Sequence, residues 1–75
     1  MTNIDIGKQI AKKLIKLSDN TDKAYYPLLK SLIDEYNLTN DDDENKIIMT
    51  VVHELTVQGY DIISIEPFKL KNLKD

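Results

Sequence analysis

Apolar residues recur every three or four positions in three separate stretches of this chain, which is the spacing of one face of an α-helix. The first repeat consists of Ile6, Ile10, Leu14 and Leu17. It predicts a helix over about residues 5–17, capped by Asp5 with Ile4 packed before it. The turn-forming residues 18–21 then end that helix.

The second and third repeats predict two more helices. The second repeat consists of Tyr25, Leu28, Leu29, Leu32, Ile33 and Tyr36, and the third of Ile47, Ile48, Val51, Val52 and Leu55. We expect helices over about residues 26–37, with Pro27 in the first turn, and about 41–58. Asn40 or Asp41 would cap the third helix, and Gly59 would end it in a left-handed conformation.

After the helices, residues 60–66 are rich in β-branched side chains, a composition that predicts a short strand closed by Pro67. A single strand leaves its backbone hydrogen bonds unmade. Its partner could be residues 2–6, the same strand of a second copy, or a bound protein that adds a strand. We expect the second copy, and we expect the tail 71–75 to fray. The predicted fold is one mainly α domain over residues 1–75, with three helices, a C-terminal strand and a two-fold homodimer.

The chain has 75 residues, no cysteine and one histidine. Disulfides and thiolate zinc sites are therefore excluded, and a protein-built transition-metal site is not expected. Its two glycines cannot build a phosphate-binding loop, so we expect no cofactor. Because a core this small is marginal, oligomerisation is favoured. With no signal peptide and no long apolar run, the sequence predicts a cytoplasmic protein that does not engage membranes.

Charge is unevenly distributed along the chain. Residues 1–30 carry six lysines and three aspartates, whereas residues 31–67 carry nine acidic residues and one lysine. The most acidic surface is expected to consist of Asp34, Glu35, Asp41, Asp42, Asp43 and Glu44. The run over 41–44 either stabilises the start of a helix or presents charge to a basic partner. Since a helix rises about 1.5 Å per residue and duplex DNA carries one charge per about 1.7 Å, such acids can imitate DNA.

A calcium loop is a third interpretation of the acidic run. Asp41, Asp43 and Asn45 alternate like the first ligands of an EF-hand. However, Lys46 and Val52 occupy the positions that require glycine and glutamate, so we expect no metal.

A second stripe on the third helix consists of Met49, His53 and Val57, four residues apart. It is either partly exposed surface or an interface, since a helix apolar on two sides is usually buried on two sides. The predicted dimer interface consists of Met49, His53, Val57, Ile62, Ile63 and Ile65. No motif links His53 to Ser18, Ser31 or Ser64, so we expect no catalytic residues and no enzyme.

The first helix carries a lysine face made of Lys8, Lys12, Lys13 and Lys16. This face is either solvated surface or a weak binding site for anionic membranes or nucleic acid. The chain has no arginine and no aromatic residues between these lysines, which argues against direct nucleic-acid binding.

In length, acidity, lysine, isoleucine and asparagine content, and the acidic stretch from Asp34 to Glu44, the chain resembles small bacteriophage host-takeover proteins. The resemblance implies a dimer that mimics DNA and blocks a basic host replication or nucleoid protein, such as a sliding clamp. The basic first helix departs from that pattern. The leading hypothesis is therefore a non-enzymatic inhibitor. The alternatives are a structural or regulatory dimerisation module and a small nucleic-acid-binding regulator.

Overall fold

A computed structural model of the chain describes residues 2–73, and within them three helices precede a two-stranded antiparallel sheet. The elements are Asn3–Leu17 (α1), Tyr25–Asp34 (α2), Asp41–Val57 (α3), Tyr60–Ile65 (β1) and Phe68–Asn72 (β2). The predicted mainly helical architecture is confirmed, but the predicted lone strand is one half of a hairpin.

The cap of α1 differs from the prediction. The Thr2 hydroxyl accepts a hydrogen bond from the Asp5 amide at 3.2 Å, and the Asp5 carboxylate accepts one from the Thr2 amide at 3.4 Å. Thr2 is therefore the capping residue and Asp5 the third residue of the helix, which begins two residues earlier than expected. The reciprocal pair satisfies two amides that the first helical turn leaves without partners.

The second helix ends three residues earlier than predicted. Asn37 adopts a positive φ of 53°, outside the helical region, and its amide donates to the Asp34 carbonyl at 3.2 Å in a closing turn. The next helix has the expected ends: the Asn40 side chain accepts from the Asp42 amide at 2.8 Å, and Gly59 has a φ of 84°. At that φ a residue without a side chain is favoured.

The partner of β1 is β2, so the three partners considered from the sequence are all wrong for this edge. The prediction that the tail 71–75 frays is also wrong for Lys71 and Asn72, which lie in β2. Residues 74 and 75 lie outside the described residues. In β2, inward Phe68, Leu70 and Asn72 alternate with exposed Lys69 and Lys71. This period of two is the pattern of a half-buried strand.

Phe68 anchors the hairpin to the helices. Its side chain is fully buried, and its ring centroid lies 5.2 Å from that of Tyr25. Its amide donates to the Lys23 carbonyl, in the loop before α2, at 2.9 Å. The fully buried core also contains Ile10, Leu14, Leu29, Ile47 and Val51. The hairpin therefore completes the same core that the three helices form.

The helices α1 and α3 lie in direct contact. Gly7 makes this possible, because a Cβ atom at this position would lie 2.5 Å from Cγ2 of Thr50. Near the start of both helices, Asn3 Nδ2 donates to Asp43 Oδ1 at 3.0 Å. Contacts thus advance in the same order along both helices, which run roughly parallel. Within residues 2–73, no helix has the length and apolar character needed to cross a bilayer.

Candidate functional site

Acidic residues from two elements converge where α2 ends and α3 begins. The Lys30 ammonium, on α2, forms an ion pair with the Glu44 carboxylate on α3. That hydrogen bond raises the pKa of Lys30, and the charges of Glu44, Asp34 and Asp41 act in the same direction. The fold therefore gathers Asp34, Asp41 and Glu44 around one lysine, although Asp34 and Asp41 are seven positions apart in sequence.

The six predicted acidic residues divide into two groups. Glu35 accepts from Lys13 Nζ at 3.2 Å, Glu44 pairs with Lys30, and Asp43 accepts from Asn3. The other three, Asp34, Asp41 and Asp42, are exposed and form no ion pair with any described residue. Half of the predicted acidic surface is thus in contact with the chain itself, and the other half is open to a partner.

The Lys13–Glu35 pair joins α1 to the end of α2. Lys13 Nζ lies 5.5 Å from the centroid of the Tyr36 ring, and the Tyr36 hydroxyl donates to Gln9 Oε1 at 2.8 Å. The hydrogen bond to Glu35 is the main cause of a raised pKa for Lys13. Lys13 is therefore engaged with α2 and its C-terminal end, whereas Lys8, Lys12 and Lys16 remain exposed on α1.

The acidic run is helical from its first residue. Asp41, Asp43 and Asn45 all lie in α3, where Asp43 projects from the side of the helix opposite Asp41 and Asn45, so the three do not form the ligand loop of an EF-hand. Among residues 2–73, no group of three or more histidine and carboxylate side chains is placed to hold a metal ion.

A second surface is a shallow groove between α1 and α3, which we call the α1–α3 groove. It consists of two adjoining depressions that share Ile4, Met49 and Thr50. One half is also lined by Thr2, Asn3 and Lys46, and the other half by Lys8, His53, Glu54 and Val57. Met49 is 72% exposed, and Ile4 and Val57 are each 58% exposed. The predicted stripe of Met49, His53 and Val57 therefore lies together on the surface. Ile4, which the sequence indicated only as a packing residue at the helix start, forms the opposite wall.

The other predicted interface residues lie on the hairpin. Ile62 packs against the core of its own chain, so little of its side chain is left for a partner. Ile63 and Ile65 alternate with it and are exposed at 56% and 55%. Another apolar residue that the sequence did not single out as exposed is Tyr26, which is 61% exposed beside the buried Tyr25.

No family model, curated protein or solved structure matches this chain. Its function must therefore be inferred from its own side chains.

The hydroxyls of Ser18 and Ser31 donate hydrogen bonds to backbone carbonyls. Ser18 Oγ donates to the Ile15 carbonyl at 2.9 Å, and Ser31 Oγ donates to the Leu28 carbonyl at 2.8 Å. Neither is directed at His53, which lies exposed in the α1–α3 groove. Both hydroxyls therefore donate to the backbone of their own helical region.

Proposed function

We propose that this chain is a non-enzymatic protein-binding inhibitor whose acidic surface occupies the DNA-binding site of a basic cytoplasmic protein. The partner would be a replication or nucleoid protein, such as a sliding clamp, of the kind that bacteriophages block in their hosts. The supporting observation is the convergence of Asp34 from α2 with Asp41 and Glu44 from α3 around Lys30. A surface built from two elements presents negative charge over a wider area than one helix end does.

The ion pairs Lys13–Glu35 and Lys30–Glu44 do not prevent a partner from binding this acidic surface. Both pairs are solvent-exposed, and such pairs are weak because water and salt screen them. An arginine of the partner binds a carboxylate through two parallel hydrogen bonds and can therefore replace Lys13 or Lys30. Lys30 lowers the negative charge of the surface, so its removal should strengthen binding.

The test is capture of DNA-binding proteins from a bacterial lysate at low salt, followed by elution with duplex DNA. We expect Asp34→Asn combined with Asp41→Asn to weaken retention about tenfold, since two charges that face the partner are lost. We expect Lys30→Gln to strengthen it. The matched control is Asp19→Asn with Asp22→Asn, which removes the same charge from the exposed loop before α2.

Two results would contradict the proposal. One is retention that the Asp34 and Asp41 changes leave unaltered, or reduce no more than the control does. The other is a captured protein that duplex DNA fails to displace, because an imitator of DNA must compete with it.

A second candidate function, a dimerisation module without DNA mimicry, is favoured by a different observation. The exposed apolar residues Ile4, Met49 and Val57 are contiguous in the α1–α3 groove. Contiguous apolar surface on a small protein typically marks an interface.

A further inference from the structure

The α1–α3 groove carries opposite charges at equal sequence distances on either side of Thr50. Thr50 lies at its middle, with Lys46 four residues before it and Glu54 four residues after it on the same helix. Lys8 lines the half of the groove that contains Glu54, and Asp42 lies one helical turn before Lys46. None of these four charges forms an ion pair with a described residue.

The apolar residues lie between these charges. Ile4 and Met49 line both halves of the groove, which places them at its centre, and Val57 lies at one end with His53 before it. An apolar centre with a charged rim is the usual anatomy of a protein interface. A partner that fits this groove must have an apolar centre. It must also place an acidic residue opposite Lys46 and a basic residue opposite Glu54.

We propose that the partner is a second copy of this chain, packed with the two α3 helices antiparallel about a two-fold axis near Thr50. Reversing the helix direction places Lys46 of each copy opposite Glu54 of the other. It also brings the acidic first turn with Asp42 toward Lys8 of the other copy. The two Met49 side chains then meet beside the axis and cover Ile4.

A second copy fits this groove better than an unrelated helix, because two-fold pairing requires each surface to be complementary to itself. Lys46 and Glu54 are equidistant from Thr50, so one symmetry operation forms both pairs at once. Charge pairs of this kind set the register and orientation of an interface more than its strength. The inference deepens the second candidate function and is independent of binding at Asp34 and Asp41.

The first test is sedimentation equilibrium at high micromolar concentration. We expect a dimer, and we expect Val57→Asp to raise its dissociation constant by at least about tenfold, because the change buries an unpaired charge. Val52→Asp is the matched control: it is the same substitution on an exposed valine of the same helix, outside the groove. A wild-type monomer, or equal loss with Val52→Asp, would overturn the proposal.

The second test separates the proposed register from any other dimer. Lys46→Glu and Glu54→Lys should each be monomeric, since each places like charges opposite each other twice. Mixed together, the two variants should form a heterodimer, because each pair then joins one acid to one lysine, one pair in the original order and the other with its signs exchanged. Failure of the mixture to associate would refute the register. Asp34→Asn with Asp41→Asn must leave the dimer intact, so the failure of one proposal does not imply the failure of the other.

Discussion

The hydroxyl of Tyr25 is buried and forms no hydrogen bond with any described residue. A buried polar group without a partner is destabilising. We therefore predict that Tyr25→Phe raises the free energy of unfolding by about 1 kcal/mol. The measurement is urea unfolding at neutral pH, followed by circular dichroism.

A matched control for this substitution is Tyr36→Phe. The Tyr36 hydroxyl donates to Gln9 at 2.8 Å, so the same chemical change removes a hydrogen bond there and should lower stability. A Tyr25→Phe variant less stable than the wild type would show that the hydroxyl is satisfied in solution.

Tyr25 also predicts a pH dependence. Burial raises the pKa of its phenol above the ordinary value near 10. As the pH rises through about 10, the unfolded chain releases this proton while the folded chain keeps it, so stability falls. Tyr25→Phe should make that decline shallower, because it removes the phenol whose proton the folded chain holds more tightly than the unfolded chain. Unfolding curves at neutral and alkaline pH measure the difference.

At the scale of the elements, β2 is expected to contribute more to stability than its lysine content suggests. Phe68→Ala should cost about 3–5 kcal/mol, the usual loss for a fully buried aromatic side chain. Lys69→Ala, one residue later on the exposed face, should change stability by less than about 0.5 kcal/mol. Because the first loss approaches the total stability of a small domain, Phe68→Leu gives a measurable intermediate. Thermal unfolding with similar midpoints for Phe68→Ala and Lys69→Ala would contradict this role for β2.

The helices could be predicted from the sequence because each has its own apolar repeat. The ends that were wrong depend on single residues: Thr2 rather than Asp5 caps α1, and Asn37 turns the chain after α2. In β2, the alternation of Phe68 and Leu70 with lysines was present in the sequence. The prediction that the tail 71–75 frays rests on its lysine content and is wrong for Lys71, which lies with Lys69 on the solvent face of the strand.

The candidate site was only partly predictable. The stripe of Met49, His53 and Val57 follows from helical spacing, but its opposite wall at Ile4 depends on the pairing of α1 with α3, which no local pattern specifies. The proximity of Lys30 to Asp34 could be predicted from the sequence, because the two residues lie four positions apart on the same helix. Its pairing with Glu44 required the tertiary fold.

At the scale of the whole molecule, stability rests on apolar packing. The ion pairs found among residues 2–73, Lys13–Glu35 and Lys30–Glu44, are both exposed. We predict that urea unfolding in low and in high sodium chloride gives nearly the same midpoint, because salt screens only interactions that contribute little. A midpoint that falls steeply with salt would mean that charge pairs hold the fold together.

The helix α1 packs against α3, its parallel neighbour two elements away, across the close approach of Gly7 and Thr50. Consecutive helices joined by a short turn often pack together early in folding, because their contacts are local. A parallel pair of helices can pack only after the chain between them has closed a loop, which costs conformational entropy. No single continuous segment of the chain contains all the residues of the hydrophobic core, which come from all three helices and β2. The chain should therefore fold in one cooperative step, with its slowest-exchanging amides divided between its first and third helices.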